Sequence, residues 1–271
     1  MTLVATLQMA PTTDRDANLA AVATLLDSAA AQGARIVLLP ELFSVPFVPA
    51  VPGDAGYLRY AESLDGPSNR MVAAKSAEHG ITVISSIFEA SGVPGVFHNT
   101  ASTFVAGERV LDYRKSHLPL SNAFPEKYYF RPGELPPSVV QTPEAALSTV
   151  ICYERHFPEL VRTAAVAGAE LVAIPVASAT AYSRTIYDIE LRAHAVFNCL
   201  YVMAANRIGD EGDKPYFGGS GIFGPDGQDV ARAEDTGGDE VVIGDIDLAE
   251  LPAKRLTQRP FLRDRRTELY G

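Results

Sequence analysis

Three residue types that together can attack a carbonyl carbon stand at the ends of separate apolar runs. Glu41 follows Ile-Val-Leu-Leu-Pro, Lys115 follows Val110–Tyr113, and Cys152 follows Leu147–Ile151. A carboxylate can take a thiol proton, an ammonium can steady an oxyanion, and a thiolate can attack the carbon. Each residue also has a plainer use. A glutamate at a strand end caps or edges a sheet, a lone lysine is mostly solvated, and cysteine is among the most buried residue types. Glu126 lies within Phe-Pro-Glu-Lys-Tyr-Tyr-Phe; an acid among aromatics fits a desolvated, ion-paired role better than a free surface one. Acid, amine and thiol occur in almost any chain, so spacing alone leaves both uses open.

The segments that must hold these side chains alternate between strand and helix patterns. Leu3–Gln8 reads as a strand. A helix capped by Thr13, Asp14 or Asp16 follows, with Leu19, Val22, Leu25, Leu26 and Ala29 in phase; Gly33 ends it, and Arg35–Leu39 is the next strand. That β-α-β order predicts parallel strands in one sheet, with Glu41 at the exit of the second. Pro67 opens a helix to about His79, with Met71, Val72, Ala74 and Ala77 on its apolar side; Gly80 caps it and Ile81–Ile87 is a strand. Ala106-Gly107-Glu108 joins His98–Phe104 to Arg109–Tyr113 as a hairpin, with Lys115 at its exit. Phe43–Tyr57, carrying Pro46, Pro49 and Pro52, is a loop. So is Lys115–Pro137, whose length inside a compact domain suggests a function.

Val139–Gln141 and Leu147–Ile151 are further strands. Pro158 sits where its missing N–H costs nothing and Glu159 complements a positive helix end, so a helix runs to about Gly168. Cys152 is therefore expected at the carboxyl end of a strand just before a helix, where α/β sheets present ligands and a thiol pKa tends to fall. Leu171–Pro175 and Leu200–Ala204 are strands around a helix over Thr185–Cys199, with Ile186, Ile189, Ala193, Val196 and Phe197 in phase. Ser220–Phe223 and Asp229–Ala233 flank a turn at Pro225-Asp226-Gly227, and Val241–Ile246 alternates as a strand. The tail Leu251–Gly271 is polar, with Pro260 and Phe261 as anchors of a candidate interface arm. With no repeat or linker, residues 1–271 are expected as one α/β domain with a mixed sheet or two sheets.

Composition narrows the function classes. The chain has 271 residues, 47% hydrophobic and 21% charged, as in an ordinary globular protein with a substantial core. A net charge of −10 argues against a nucleic-acid partner. The one dense basic cluster, Arg263, Arg265 and Arg266, is interleaved with Asp264 and Glu268 and reads as a paired surface. Two cysteines, Cys152 and Cys199, make no disulfide scaffold and point to a reducing compartment. No signal-peptide pattern or membrane-length apolar run is read, so the expectation is a cytoplasmic protein without a membrane partner.

Other chemistries fit less well. His79, His98, His117, His156 and His194 lack metal-ligand spacing, and no Cys-x-x-Cys is present, so neither metal nor cofactor is expected. Gly218-Gly219-Ser220-Gly221 lacks the Lys-Ser/Thr of a phosphate loop and opens no helix, so it reads as a turn. No Gly-x-Ser-x-Gly elbow precedes a helix. A Cys–His pair through His156 or His117 is conceivable, but the local sequence does not resemble the papain family.

Taken together, Leu38–Phe43, Tyr113–Pro119 and the run Ile-Cys-Tyr-Glu-Arg-His-Phe-Pro-Glu resemble the glutamate, lysine and cysteine motifs of the nitrilase (carbon–nitrogen hydrolase) superfamily. They stand in the family's order, and the resemblance covers nearly the whole chain. His98-Asn99-Thr100, Ala204-Ala205-Asn206-Arg207 and Phe217-Gly218-Gly219-Ser220 are also similar. The resemblance implies a four-layer α-β-β-α sandwich with two mixed sheets, a Glu41–Lys115–Cys152 site, and a homodimer or larger assembly. Glu126–Gly133 and the Arg-Asp-Arg-Arg-Thr-Glu-Leu-Tyr run near the end resemble the N-carbamoylputrescine amidase and β-ureidopropionase groups, which implies Glu126 as a second active-site glutamate.

Arg155 stands where N-carbamoylputrescine amidases typically have glutamine and where enzymes of N-carbamoyl amino acids have arginine. Its guanidinium either holds a substrate carboxylate by two parallel bonds or pairs with a structural acid. Glu154 stands where other branches have Asp, Gly or Gln, and the resemblance assigns it no role. The implied reaction is hydrolysis of a small N-carbamoyl amine or amino acid through a thioester-type intermediate, with Lys115 and the backbone N–H of Tyr153 on the oxyanion. The alternatives are an ω-amide or aliphatic amide hydrolase, an N-carbamoylputrescine amidase, and, from another class, an interaction protein with a decayed site.

Overall fold

The expected β-α-β unit opens the chain: β1 (Thr2–Gln8), α1 (Arg15–Ala31) and β2 (Ile36–Leu38), with β1 and β2 parallel. Of the three candidate caps of α1 it is Asp14 that accepts from the N–H groups of Asp16 and Ala17. The computed structural model describes residues 1–47, 53–121, 123–212, 214–234 and 237–270, so Pro49, Pro52 and Gly271 lie outside the described residues. The chain continues through α2 (Pro67–His79), β3 (Thr82–Ala90), β4 (Phe97–Val105), β5 (Glu108–Arg114), β6 (Val139–Gln141), β7 (Ala146–Thr149), α3 (Pro158–Val166) and β8 (Leu171–Val176). Next come α4 (Ala181–Asn198), β9 (Tyr201–Asn206), β10 (Ile208–Glu211), β11 (Lys214–Phe217), β12 (Gly221–Phe223), β13 (Asp229–Arg232) and β14 (Glu240–Ile246). None of the described helices is long and apolar enough to cross a membrane.

Two six-stranded sheets result, ordered β14-β1-β2-β3-β4-β5 and β13-β12-β9-β8-β7-β6. In each, three central strands are parallel and the outer strands antiparallel. Alternation along the strands builds the layers. Val37 packs with Val22 and Leu26 of α1 and Val72 of α2, whereas Ile36 and Leu38 face the other sheet and meet Leu171, Ala173 and Met203. On the second sheet, Val172, Ile174, Val202 and Ala204 turn outward to Val161 of α3 and Tyr187 and Leu191 of α4. The order is helices, sheet, sheet, helices: the α-β-β-α sandwich the resemblance implies.

Several local expectations change. On α4 the buried face is Tyr187, Leu191, His194, Ala195 and Asn198, while Ile189 and Phe197 are exposed. On α2 the inward face includes Ser68, Asn69, Val72 and Ser76, and Ala74 and Ala77 lie outside. Asn69 and Ser76 can be buried because they bond the Leu64 and Ile81 carbonyls. Hydrophobicity does not mark such positions. The β10–β11 hairpin was not expected at all, since Ile-Gly-Asp-Glu has little strand pattern. In the tail, Phe261 is exposed. Leu262 packs on the helix-side core, and Arg255 donates to the carbonyls of Cys199 and Ala169. The basic cluster is paired as expected, Arg263 with Asp264 and Arg266 with Glu268.

The long loop after β5 folds back on its own start. Gly133 N–H donates to the Lys115 carbonyl at 2.8 Å, and a Cβ at Gly133 would sit 2.1 Å from the Arg114 carbonyl oxygen. Gly133→Ala must therefore push the loop off the segment that carries Lys115. The expected cost is about 1–3 kcal/mol, which lowers Tm by about 2–4 °C per kcal/mol in a chain of this size. A thermal melt of the variant with an unchanged Tm would contradict this packing.

Candidate active site

Glu41, Lys115 and Glu126 converge, although 85 residues separate the outer two (126 minus 41). Glu41 follows β2 and is bound across the sheets: its N–H donates to the Val176 carbonyl at the end of β8. The next residue, Leu42, has φ +49, a left-handed conformation that costs a side-chain-bearing residue about 1–3 kcal/mol. Arg207 holds it there. Fully buried at the end of β9, it donates from Nε to the Glu41 carbonyl at 3.0 Å and from Nη2 to the carbonyls of Leu42 and Val45, and pairs through Nη1 with Glu211. Arg207 was part of a similar motif in the sequence but had no predicted role; a charged residue closing an apolar strand was the available signal.

Lys115 leaves β5 with its N–H bonded to the Asn99 carbonyl. Its buried ammonium donates to Glu41 Oε1 at 2.8 Å and to both oxygens of Glu126 at 2.8 and 2.9 Å. Burial opposes the lysine's charge, but the two carboxylates outweigh it and raise its pKa. Glu126 opens a short 3₁₀ turn (Glu126–Tyr128) in the long loop. Burial, reinforced by the charge of Glu41 and opposed by Lys115, pushes Glu126 up to about 7. Asn99, the middle residue of a quoted motif, is a further site residue without a predicted role: its Nδ2 donates to Glu41 Oε1 at 2.7 Å. Glu41 Oε2 is buried and has no hydrogen-bond donor among the described residues.

Cys152 begins a 3₁₀ turn, Cys152–His156, in a left-handed conformation with φ +48. α3 starts at Pro158, as expected, with this turn between it and Cys152. The expected low thiol pKa is corrected here. Burial, then the charge of Glu41, pushes Cys152 up to about 12, with Lys115 and Arg155 working in the other direction. The free protein thus rests with a neutral thiol. The first internal bond of the turn runs from Glu154 N to the Ile151 carbonyl at 3.0 Å, so the N–H of Tyr153 precedes it and has no partner within the turn. The Tyr153 ring meets His156 and Phe157 edge-on.

The structure brings Arg155 to the Cys152 turn. Buried, it donates from Nη1 to the Cys152 carbonyl at 3.0 Å and lies 3.8 Å from Sγ; its Nε is 3.0 Å from Glu190 Oε2, and its guanidinium lies over Tyr187. The two histidines considered for a Cys–His pair are engaged elsewhere, His156 Nδ1 with Glu190 and His117 Nδ1 with Ser116. Gly218 and Gly219 form a turn, as expected, with the Gly218 carbonyl taken by Asn206 Nδ2. Aromatic side chains, among them Phe47, Tyr57, Tyr129, Phe130 and Tyr216, cluster with Leu42 beside Glu41.

A thiol, a carboxylate with one free oxygen and an ammonium between two carboxylates are groups from which a thiol hydrolase site can be built. Residues 3–255 match the family described as carbon-nitrogen hydrolase. The chain is 31% identical to N-carbamoylputrescine amidase of Arabidopsis thaliana, over 99% of this chain and 93% of that protein. It is 32% identical to citrullinase of Francisella tularensis, over 98% and 96%. The structure of an amidase from Nesterenkonia sp. AN1, with acrylamide added at its active-site cysteine, superposes with a TM-score of 0.83 at 30% identity, covering 99% of this chain and 98% of that one. The chain belongs to the carbon–nitrogen hydrolase family and is an amidohydrolase.

The raised pKa of Glu126 sets a pH dependence. Below about 7 the carboxyl is protonated and Lys115 loses it as an anionic partner; above it the carboxylate is restored. The rate kcat/KM should therefore rise with pH through about 7. Profiles from pH 5 to 9 for wild type and Glu126→Gln check this: the limb should vanish in the variant, and its persistence would assign the ionisation to another group.

Proposed function

We propose that this amidohydrolase acts on a small N-carbamoyl amine or N-carbamoyl amino acid and releases ammonia through a covalent Cys152 intermediate. The observation that carries the reading is the asymmetry of Glu41. Lys115 and Asn99 hold Oε1, and Oε2 is left as a buried acceptor without a donor. A desolvated free carboxylate oxygen is suited to taking a proton, and the nearby thiol has one to give.

In this reading Glu41 Oε2 takes the thiol proton as sulfur bonds to the carbonyl carbon. Lys115 and the Tyr153 N–H stabilise the oxyanion; losing one such donor typically costs about 2.7–4 kcal/mol. The two contacts from Lys115 to Glu126 can be served by one bifurcated N–H, which leaves a donor for the oxyanion. The C–N bond then breaks, and ammonia leaves with the proton from Glu41. Glu41 next deprotonates water, whose oxygen bonds to the acyl carbon as the C–S bond breaks and the proton returns to sulfur. A released carbamic acid decomposes to carbon dioxide and an amine. Glu126 orients Lys115 and the substrate nitrogen.

The N-carbamoyl class is supported by the names of the two relatives and by the cation of Arg155 near the sulfur. The acrylamide-modified amidase favours a second reading, hydrolysis of a plain aliphatic or ω-amide on the same residues. Ammonia release from N-carbamoyl amino acids, N-carbamoylputrescine and simple amides, measured side by side, separates the two. Cys152→Ala should bring release to background on every substrate; wild-type rates in that variant would refute the mechanism. If Arg155 reads a carboxylate, Arg155→Gln raises KM about tenfold or more for acidic substrates and much less for neutral ones, whereas equal effects assign Arg155 to the Cys152 turn.

A further inference from the structure

Glu154 lies two residues beyond Cys152, its carboxylate fully buried, in a part of the site that the proposed chemistry does not use. Five donors converge on it. Oε1 accepts from the Tyr113 hydroxyl at 2.7 Å, from Ser116 N–H at 2.8 Å, from Ser116 Oγ at 2.6 Å and from His117 N–H at 3.3 Å. Oε2 accepts from Ile151 N–H at 2.7 Å. The first four donors belong to β5 and the segment leaving it, on either side of Lys115. The fifth is the residue before Cys152. One carboxylate thus spans two segments that come from different sheets.

The set calls for an acceptor with two oxygens. A glutamine would bring two N–H donors of its own into a ring of donors. A buried carboxyl is costly unless hydrogen bonds meet it, and here five do. Backbone strain gives the bond to Ile151 a purpose: Cys152 sits at φ +48, and the residues around it must hold it there.

We infer that Glu154 is a positioning residue that fixes the Cys152 turn and the Lys115 segment to one another, so that thiol and ammonium keep one relative geometry. The inference rests on the reading of Cys152 as nucleophile. Misplacement of reacting groups by about 1 Å can cost about 10²-fold in rate, so a bridge of this kind acts on turnover more than on binding.

The test uses iodoacetamide, with labelling at Cys152 followed by mass spectrometry, because it needs no knowledge of the natural substrate. Ser116→Ala and Tyr113→Phe remove donors on the Lys115 side, and neither side chain takes part in the proposed chemistry. Each should slow Cys152 labelling about fivefold or more, and Glu154→Gln about 10²-fold. In the Glu154→Gln background the first two substitutions should cost less than about twofold more, since the bridge is already broken. For an amide that is turned over, kcat should fall with KM changed less than about twofold. All rates are taken well below each variant's Tm, where a merely structural role would lower Tm and leave them unchanged. Wild-type labelling in Ser116→Ala and Tyr113→Phe, or losses that multiply in the double variants, would overturn the bridge. If wild-type Cys152 labels no faster than Cys199, it is the nucleophile assignment that fails instead.

Discussion

A lysine ammonium with no exposure to water is the constraint around which the site is built. Removed from solvent without partners, such a charge costs several kcal/mol even after the protein relaxes. Glu41 and Glu126 meet it at 2.8–2.9 Å. Burial, with the charge of Glu41 added to it, pushes Glu126 up to about 7 and the thiol of Cys152 to about 12. In the proposed reaction, the thiol proton therefore has to move as sulfur bonds to the acyl carbon.

Holding that arrangement takes backbone that side chains normally avoid. Leu42, just after Glu41, and Cys152 both lie in the left-handed region, at φ +49 and +48. Each is flanked by a buried charged residue from elsewhere in the sequence or turn: Arg207 binds the carbonyls of Glu41 and Leu42, and Glu154 binds the N–H of Ile151. Charged groups suit this work because their bonds to backbone amides are stronger than those of neutral ones and only a few backbone geometries satisfy them. Two neutral amides add to this: Asn99 of β4 holds Glu41 Oε1, and Asn206 at the end of β9 binds the N–H and carbonyl of Ser178.

Much of the scaffold was legible in the sequence. Asp14, Gly33, Pro67, Gly80 and the Ala106-Gly107 turn mark element ends through backbone chemistry that does not depend on distant contacts. Continuous apolar runs marked β2, β8 and β9 as strands, and each is buried along its whole length. Amphipathicity was a poorer guide on α2 and α4. There the inward faces carry Asn69, Ser76 and His194, whose polar groups are satisfied by partners outside the helix. Those partners cannot be read from the helix's own sequence.

The same division holds in the site. The sequence by itself determined which chemistry the chain can carry, because thiol, carboxylate and ammonium at strand ends are local properties of residue type and pattern. It also placed the chain, through three ordered motifs, in the family that the comparisons then showed. Only the tertiary structure decided the charge state and the geometry. Whether Cys152 has a raised or lowered pKa, which oxygen of Glu41 is free, and whether Arg155 has a partner acid all depend on burial and on groups tens of residues away. Coulombic and desolvation energies follow distance in space, and sequence separation carries almost no information about that distance.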